Sequence, residues 1–240
     1  MDHDHAFRRE RLAIVTGGSR GLGRALVARL VERGWRIIVD ARDGDRLDRA
    51  VQGLAVPERV TAIPGDVADP DHRRAVAAAA AVTGGLDLLV NNASALGPSP
   101  QPALSDYPLD ALGRVVAVNA LAPLALVQAV LPLLAARRGR VINVSSDAAA
   151  EAYPGWGGYG ASKAALEHLS ATLAAEHPEL LVYAFDPGDM ATDMHQRAFP
   201  GEDISDRPAP EAVVPALRRL IEGELPSGRY RAADRTAVPA

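Results

Sequence analysis

Short apolar runs alternate along the chain with longer segments in which apolar residues recur every three or four positions. The short runs are apolar at consecutive positions, which is typical of strands buried on both faces of a parallel sheet. They predict strands over 12–16, 36–39, 60–63, 86–90, 141–144, 181–185 and, as a short last strand, 229–231. The longer segments predict helices over 22–33, 43–54, 71–82, 109–138, 159–176 and 210–222. This alternation predicts a doubly wound, Rossmann-type α/β fold around a parallel sheet of about seven strands.

No repeat, linker or change of composition divides the 240 residues, so we expect one domain over 1–240. Residues 1–10 are polar and mixed in charge, and we expect them to be flexible. Residues 190–208 combine proline, glycine and several charges, which indicates an irregular loop and a candidate substrate lid. Within the long helix, Pro123 and Pro132 are expected to cause kinks.

Composition narrows the functional classes. Only 4% of the residues are aromatic, so the core is predicted to be aliphatic, and a net charge of −4 gives no basic surface for nucleic acid. The absence of cysteine excludes disulfides and cysteine-based metal sites. Neither a secretory signal nor an uninterrupted apolar span is evident, which favours a cytoplasmic protein without membrane contact. His3 and His5 fit a plain tail better than a metal-binding arm, and no metal site is expected.

A glycine-rich turn, Thr16-Gly17-Gly18-Ser19-Arg20-Gly21-Leu22-Gly23, follows the first predicted strand. Glycines at this point let backbone amides approach a pyrophosphate, and the next helix adds its positive N-terminal dipole. An ordinary tight turn is the alternative, but the strand–turn–helix context favours dinucleotide binding.

The chain contains a single lysine, Lys163, among 26 basic residues, and it lies four residues after Tyr159. Lysine is a compact ammonium on a flexible stem, whereas arginine is a planar fork. A point charge one helical turn from a phenol would suit proton transfer. The alternative is a surface lysine that survived by chance in an arginine-rich chain.

Together, the glycine turn and Tyr159-x-x-x-Lys163 resemble the short-chain dehydrogenase/reductase family. Further matching segments are Asp66-Val67, Asn91-Asn92-Ala93 and Pro187-Gly188 followed by Thr192. Ser94, Tyr183 and a tail without D-G-G depart from the family pattern. The resemblance assigns cofactor contacts to Gly17, Ser19, Arg20, Gly21, Leu22, Gly23, Arg42, Asp66, Val67, Asn92, Ala93, Tyr159, Lys163, Pro187, Gly188, Met190 and Thr192.

The resemblance also implies a catalytic set of Asn119, Ser146, Tyr159 and Lys163. Tyr159 would exchange a proton with the substrate oxygen, with its pKa lowered by the Lys163 ammonium. Ser146 would bond the substrate oxygen, and Asn119 would support a proton relay. Each residue has a structural alternative: a capping serine, an asparagine that satisfies backbone groups, or a core tyrosine.

The identity of the nicotinamide cofactor depends on the end of the second strand. Asp40 lies one position before the family's usual acidic residue, where this chain has Ala41, and Arg42 follows. Together with Arg20, this pattern favours the 2′-phosphate of NADP(H), while NAD(H) stays possible.

The substrate is less well defined. Ser146, Tyr153, Trp156, Tyr159 and Met194 are candidate pocket residues for a small carbonyl or alcohol. The expected reaction is NADP(H)-dependent hydride transfer. The alternatives are NAD-dependent alcohol oxidation and a non-catalytic dinucleotide sensor. Alanines on the 159–176 helix permit close packing, so a homodimer or homotetramer is expected.

Overall fold

Seven strands form one sheet in which every neighbouring pair runs parallel, in the order β3-β2-β1-β4-β5-β6-β7. The structure is a computed structural model that describes residues 9–234, so His3 and His5 lie outside the described residues. The strands are β1 (Leu12–Val15), β2 (Arg36–Ala41), β3 (Val60–Pro64), β4 (Leu88–Asn91), β5 (Arg140–Val144), β6 (Leu181–Asp186) and β7 (Gly228–Arg231). The predicted fold class is confirmed.

Eight α-helices are found among residues 9–234. They are α1 (Gly21–Glu32), α2 (Gly44–Gln52), α3 (Pro70–Ala81), α4 (Leu109–Val116), α5 (Ala122–Ala135), α6 (Gly157–Glu176), α7 (Asp193–Ala198) and α8 (Val214–Glu222). Helices α1, α2 and α8 bury aliphatic side chains against one face of the sheet, and α3, α5 and α6 do so against the other. Along β1, alternate residues enter opposite cores, as the pleat of a doubly covered strand requires.

The chain order of the strands reverses at β1, which pairs with β2 on one side and β4 on the other. Connections after β1 and β4 therefore leave toward opposite faces and open a crevice at their carboxyl ends. Thr16 bridges the two strand ends, because its amide donates to the Val90 carbonyl at 3.0 Å. The fold thus places the glycine turn at the point where a doubly wound sheet binds ligands.

The predicted long helix is continuous from Leu109 to Ala135, but it contains a π-helical turn, Ala117–Leu121, between α4 and α5. The wider turn ends two residues before Pro123, which has no N–H to donate, and Pro132 lies inside α5. Among the described residues this is the one helix long and apolar enough to cross a membrane by length and composition. Half of its most apolar window is buried in the fold.

Two local features differ from the sequence pattern. Residues 190–208 contain the short helix α7, which Thr192 caps by accepting a hydrogen bond from the His195 amide. Tyr183 is completely buried; its hydroxyl donates to the Leu225 carbonyl at 2.7 Å, and its ring meets Tyr230 edge-on. Tyr183, which replaces the asparagine usual in the family, therefore holds the segment that leads into β7 against β6.

Candidate active site

A cleft of about 740 Å³ opens at the carboxyl ends of the strands. It brings together most of the residues singled out in the sequence: Gly17, Ser19, Arg20, Gly21, Leu22, Arg42, Asp66, Val67, Asn92, Ala93, Ser146, Trp156, Tyr159, Lys163, Pro187, Gly188, Met190, Thr192 and Met194. Gly23, Asn119 and Tyr153 do not line it. The glycine turn and the proposed chemical groups thus share one cavity.

The glycine turn is packed closely against the segment after β4. Gly17 has a positive φ of 69°, and a Cβ there would come within 2.9 Å of the Ala93 Cα. A Cβ on Gly23 would approach the Gly17 carbonyl oxygen to 2.5 Å. Gly23 therefore has no room for a side chain, because the Gly17 carbonyl lies directly against it. The Asn92 amide donates to the Thr16 and Gly17 carbonyls, which holds the turn in place.

Asp40 anchors the same turn from the end of β2. One carboxylate oxygen accepts the Gly17 N–H at 2.7 Å, and the other lies 3.0 Å from His72 Nε2. Both side chains are buried. Asp40 borders the cleft, but its two oxygens are already engaged within the protein. No sequence motif indicates His72, which lies 32 residues from Asp40 on α3.

Two arginines converge on one carboxylate at the edge of the cleft. Arg20 Nη1 lies 2.6 Å from Asp193 Oδ2, and Arg46 Nη1 lies 3.3 Å from the same oxygen. The hydrogen bond and charge of Arg20, followed by those of Arg46, lower the pKa of Asp193. Arg42 is exposed nearby in the lining. Sequence reasoning missed Arg46, although it lies only four residues after Arg42.

Tyr159 and Lys163 lie one turn apart on α6, and both are buried at the cleft. Lys163 Nζ donates to the Val144 carbonyl at 2.7 Å and lies 5.6 Å from the centroid of the Tyr159 ring. Ser146 lies two residues after the end of β5 and lines the cleft. Its hydroxyl donates a hydrogen bond to Asp147 Oδ1 at 2.9 Å. The lone lysine is therefore an interior residue, not a surface charge.

Burial raises the pKa of Tyr159 to about 12, against the opposing effect of hydrogen bonding from Ser94 and Ser146. The charges of Asp147 and Asp186 add to the rise. Burial also lowers the pKa of Lys163 to about 8. The net pKa change of Tyr159 is therefore a rise, opposite to the lowering expected from the Lys163 ammonium alone. The reason is that desolvation of the phenolate is the largest effect.

Asn119 is buried within the π-helical turn and uses its amide for structure. Its oxygen accepts from the Ala95 amide at 2.7 Å and from the Ser94 hydroxyl at 3.2 Å. Its nitrogen donates to the Ala95 carbonyl and to the Ser162 hydroxyl on α6, both at 2.9 Å. Asn119 thus joins the segment after β4 to the helix that carries Tyr159. Ser94, at the family's glycine position, adds a hydroxyl to this network.

Aromatic side chains form one wall beside Tyr159. The Trp156 ring meets Tyr159 edge-on at 5.8 Å and lies 5.7 Å from Phe199, which in turn lies 4.8 Å from His195. Tyr153 stands outside this wall, with its hydroxyl donating to Asp147 at 3.1 Å. Among residues 9–234 no group of three or more His, Asp or Glu side chains is placed to hold a metal ion.

The crevice position, the glycine turn and the buried Tyr–Lys pair define a nicotinamide-dependent oxidoreductase of the Rossmann type. A family model described as short chain dehydrogenase matches residues 11–203. The chain belongs to this family, whose members act on alcohol and carbonyl groups with a nicotinamide dinucleotide.

Individual relatives agree with this assignment. The chain is 38% identical to the short chain dehydrogenase asqE of Emericella nidulans, over 68% of this chain and 64% of that protein. It is 32% identical to a chloroplastic NADPH-dependent aldehyde reductase-like protein of Arabidopsis thaliana, over 91% of this chain and 82% of the relative. A short chain dehydrogenase of Shigella flexneri, solved complexed with NADP, superposes with a TM-score of 0.85 at 27% identity, covering 93% and 97% of the two chains.

Proposed function

We propose that this protein is an NADPH-dependent reductase of a small carbonyl compound, with Tyr159 as the proton donor. The observation that carries the proposal is the placement of Tyr159, Lys163 and Ser146 in the same cleft as the glycine turn. A dinucleotide sensor has no need of buried proton-transfer groups beside its nicotinamide pocket. This argues against the sensor alternative.

The cleft fits a dinucleotide. A side chain at Gly17 would collide with Ala93. Because glycine has none, the turn can lie close to this segment and leave the backbone amides at the start of α1 accessible to a pyrophosphate. The segments Asp66–Val67 and Asn92–Ala93 line the side of the cleft where an adenine and its ribose would lie, and Pro187–Gly188 with Thr192 line the nicotinamide end. Bound NADPH would supply the hydride.

Arg20 and Arg46 support the choice of NADP(H) over NAD(H). They already converge on an anionic oxygen of Asp193, as they would on a 2′-phosphate. Asp40, the acid that would favour NAD(H) by binding ribose hydroxyls, is engaged with Gly17 and His72. The named cofactors of the Arabidopsis relative and the Shigella structure point the same way. An NAD-dependent alcohol dehydrogenase is the second candidate.

Tyr159 is suited to give a proton to a carbonyl oxygen as the carbonyl carbon receives hydride. Because burial raises its pKa, the phenol is protonated at neutral pH, which is the form that can donate a proton to a carbonyl oxygen. The O–H bond of Tyr159 breaks, the substrate gains an O–H bond, and the Lys163 ammonium offsets the phenolate left behind. The Ser146 hydroxyl orients the substrate oxygen. Asn119 holds α6 in register with the segment after β4.

The aromatic wall suggests a substrate with an apolar body. Trp156 and Met194 border the space in front of Tyr159, and Asp147 adds one acidic group to the lining. Tyr153 acts on this space only through its hydrogen bond to Asp147. We propose small apolar ketones and aldehydes as the first compounds to test.

We further propose a homodimer through the exposed half of the long helix and α6. Leu109 and Leu121 are 79% and 55% exposed, and a partner helix would withdraw their side chains from water. Ala171 and Ala175 are exposed on α6 and leave room for close helix packing. Sedimentation showing only monomers at micromolar concentration would refute this state.

The proposed function is tested by following NADPH and NADH consumption with a panel of ketones and aldehydes. We expect turnover with NADPH for at least one apolar carbonyl compound and a higher kcat/KM than with NADH. Turnover only in the oxidative direction with NAD would favour the second candidate. Tight NADPH binding without any turnover would favour the sensor.

A further inference from the structure

Arg229 connects the far edge of the sheet to the floor of the candidate active site. It lies on β7, paired in register with Ala184 of β6. Its Nε donates to Glu167 Oε1 at 2.9 Å, and its Nη2 donates to Asp186 Oδ2 at 3.1 Å and to the Ser146 carbonyl at 3.2 Å. One guanidinium therefore contacts three separate elements, including the backbone of the proposed oxygen-orienting serine.

Glu167 and Asp186, the two carboxylates that Arg229 binds, also accept hydrogen bonds from segments of the candidate active site. Glu167 lies one turn after Lys163 on α6 and also accepts the Ser145 hydroxyl at 2.6 Å. Asp186 is buried at the end of β6, where its other oxygen accepts the Gly188 amide at 3.0 Å. Gly188 belongs to the segment proposed to line the nicotinamide end.

We propose that Arg229 is a positioning residue, which fixes Ser146, the Pro187–Gly188 segment and the Lys163 face of α6 in one reactive arrangement. The inference rests on the proposed reductase function. Arg229 lines no part of the cleft and contacts neither proposed reacting group directly. It acts through Glu167, Asp186 and the Ser146 backbone.

Arginine is the side chain that this position requires. Its planar fork presents several N–H donors in fixed directions, whereas a lysine ammonium on a flexible stem cannot hold the same three directions. Without a cation, Glu167 and the buried Asp186 would carry uncompensated charge, which is strongly unfavourable in the interior. Arg231, 3.8 Å from Asp186 and 45% exposed, reaches neither Glu167 nor Ser146 within hydrogen-bonding distance.

The network also tunes Lys163. The charge of Glu167 favours the Lys163 ammonium, although burial has the larger, opposite effect on its pKa. Arg229 offsets that carboxylate. Tyr159 on the same helix, Asp147 and Asp186 are titratable groups that line the same cleft as Lys163. Removal of Arg229 should therefore raise the pKa of Lys163.

Lysine labelled with ¹³C at Cε provides the test, because a chain with one lysine gives one side-chain signal. In Arg229→Gln, we expect the NMR titration midpoint of Lys163 to move to higher pH and kcat to fall by about tenfold or more. Arg218→Gln on α8 is the control, since it removes the same charge from an arginine that pairs with Glu222 outside the network, and we expect both readouts to stay at the wild-type values. Loss of thermal stability without movement of the Lys163 midpoint would overturn the proposal.

Two further variants keep the test decisive if Arg229→Gln does not fold. Arg229→Lys keeps the charge but not the fork, and we expect kcat to fall while the fold persists. Glu167→Gln should move the Lys163 midpoint to lower pH, the opposite direction from Arg229→Gln. An unchanged midpoint in Glu167→Gln would contradict the network. If the wild-type protein reduces no carbonyl compound, the proposed function fails. The titrations of Lys163 still show whether Arg229 acts on Lys163 through Glu167.

Discussion

Lys163 holds its ammonium nitrogen 5.6 Å from the centroid of the Tyr159 ring while it donates a hydrogen bond to the Val144 carbonyl. The two side chains are almost fully withdrawn from water. Burial favours the neutral form of each, so the pKa of Tyr159 is raised and that of Lys163 is lowered. The Tyr159 phenol is therefore protonated at neutral pH. The Lys163 ammonium beside it is buried, which costs folding free energy.

That buried ammonium makes a prediction about stability. Because the pKa of Lys163 is near 8 in the folded chain and 10.5 in its ordinary state, the charge destabilises the fold below about pH 8. The penalty disappears as the pH rises from about 8 to 10.5. Lys163→Met should therefore increase the free energy of unfolding by about 2 kcal/mol at pH 7 and by much less at pH 10. Denaturant titrations at the two pH values measure this difference. An equal effect at both would show that the ammonium is not penalised by burial.

Arg20 and Arg46 should determine the preference for NADPH. Replacement of either by Gln removes one charge-assisted bond to the 2′-phosphate, so we expect KM for NADPH to rise by about tenfold and KM for NADH to stay unchanged. Arg49→Gln is the control, since it changes the same charge on α2 outside the cleft. Equal losses with both cofactors would place the arginines away from the phosphate.

Asp193 should compete with that phosphate for the two arginines. Asp193→Asn removes the competing charge, and we expect the Kd for NADPH to fall by about threefold while the Kd for NADH does not. Asp206→Asn makes the same charge change in the same loop without contact to Arg20 or Arg46. Fluorescence titrations with the two cofactors give the comparison. Weaker NADPH binding in Asp193→Asn would contradict the competition.

Asp40 should act on the glycine turn and not on cofactor choice. Asp40→Ala leaves the Gly17 amide and His72 without their buried partner, so we expect a loss of about 3 kcal/mol in the free energy of unfolding. The exposed Asp45→Ala on α2 provides the control for stability. KM should rise for both cofactors in parallel, because the turn serves both. A selective loss of NADH use would mean that Asp40 binds the ribose.

The fold was predictable from the sequence because the apolar pattern of a buried strand or an amphipathic helix depends only on neighbouring residues. The strands at 36–39 and 141–144 reappear in β2 and β5 with small shifts at their ends. The cleft residues near the glycine turn and on α6 were also predictable, since short motifs carry them. His72, Arg46 and Arg229 were not, because their partners are 32, 147 and at least 43 residues away in sequence.

Electrostatics was the other part that sequence could not supply. The spacing of Tyr159 and Lys163 placed the ammonium near the phenol, but the sign of the pKa change depends on how deeply both are buried. Likewise, the spacing identified Asn119 without revealing that its amide is fully used by Ala95, Ser94 and Ser162. Such contacts arise only when distant elements pack together.

The most direct test of the account is the rate of NADPH oxidation by Tyr159→Phe with the best carbonyl substrate of the wild-type protein. We expect the rate to fall by about a thousandfold while NADPH binds with nearly unchanged affinity, since only the proton donor is lost. Tyr230→Phe, which removes a phenol hydroxyl bonded to the Pro226 carbonyl outside the cleft, should keep the wild-type rate. If Tyr159→Phe retains most of the activity, Tyr159 is not the proton donor and the proposed mechanism is wrong.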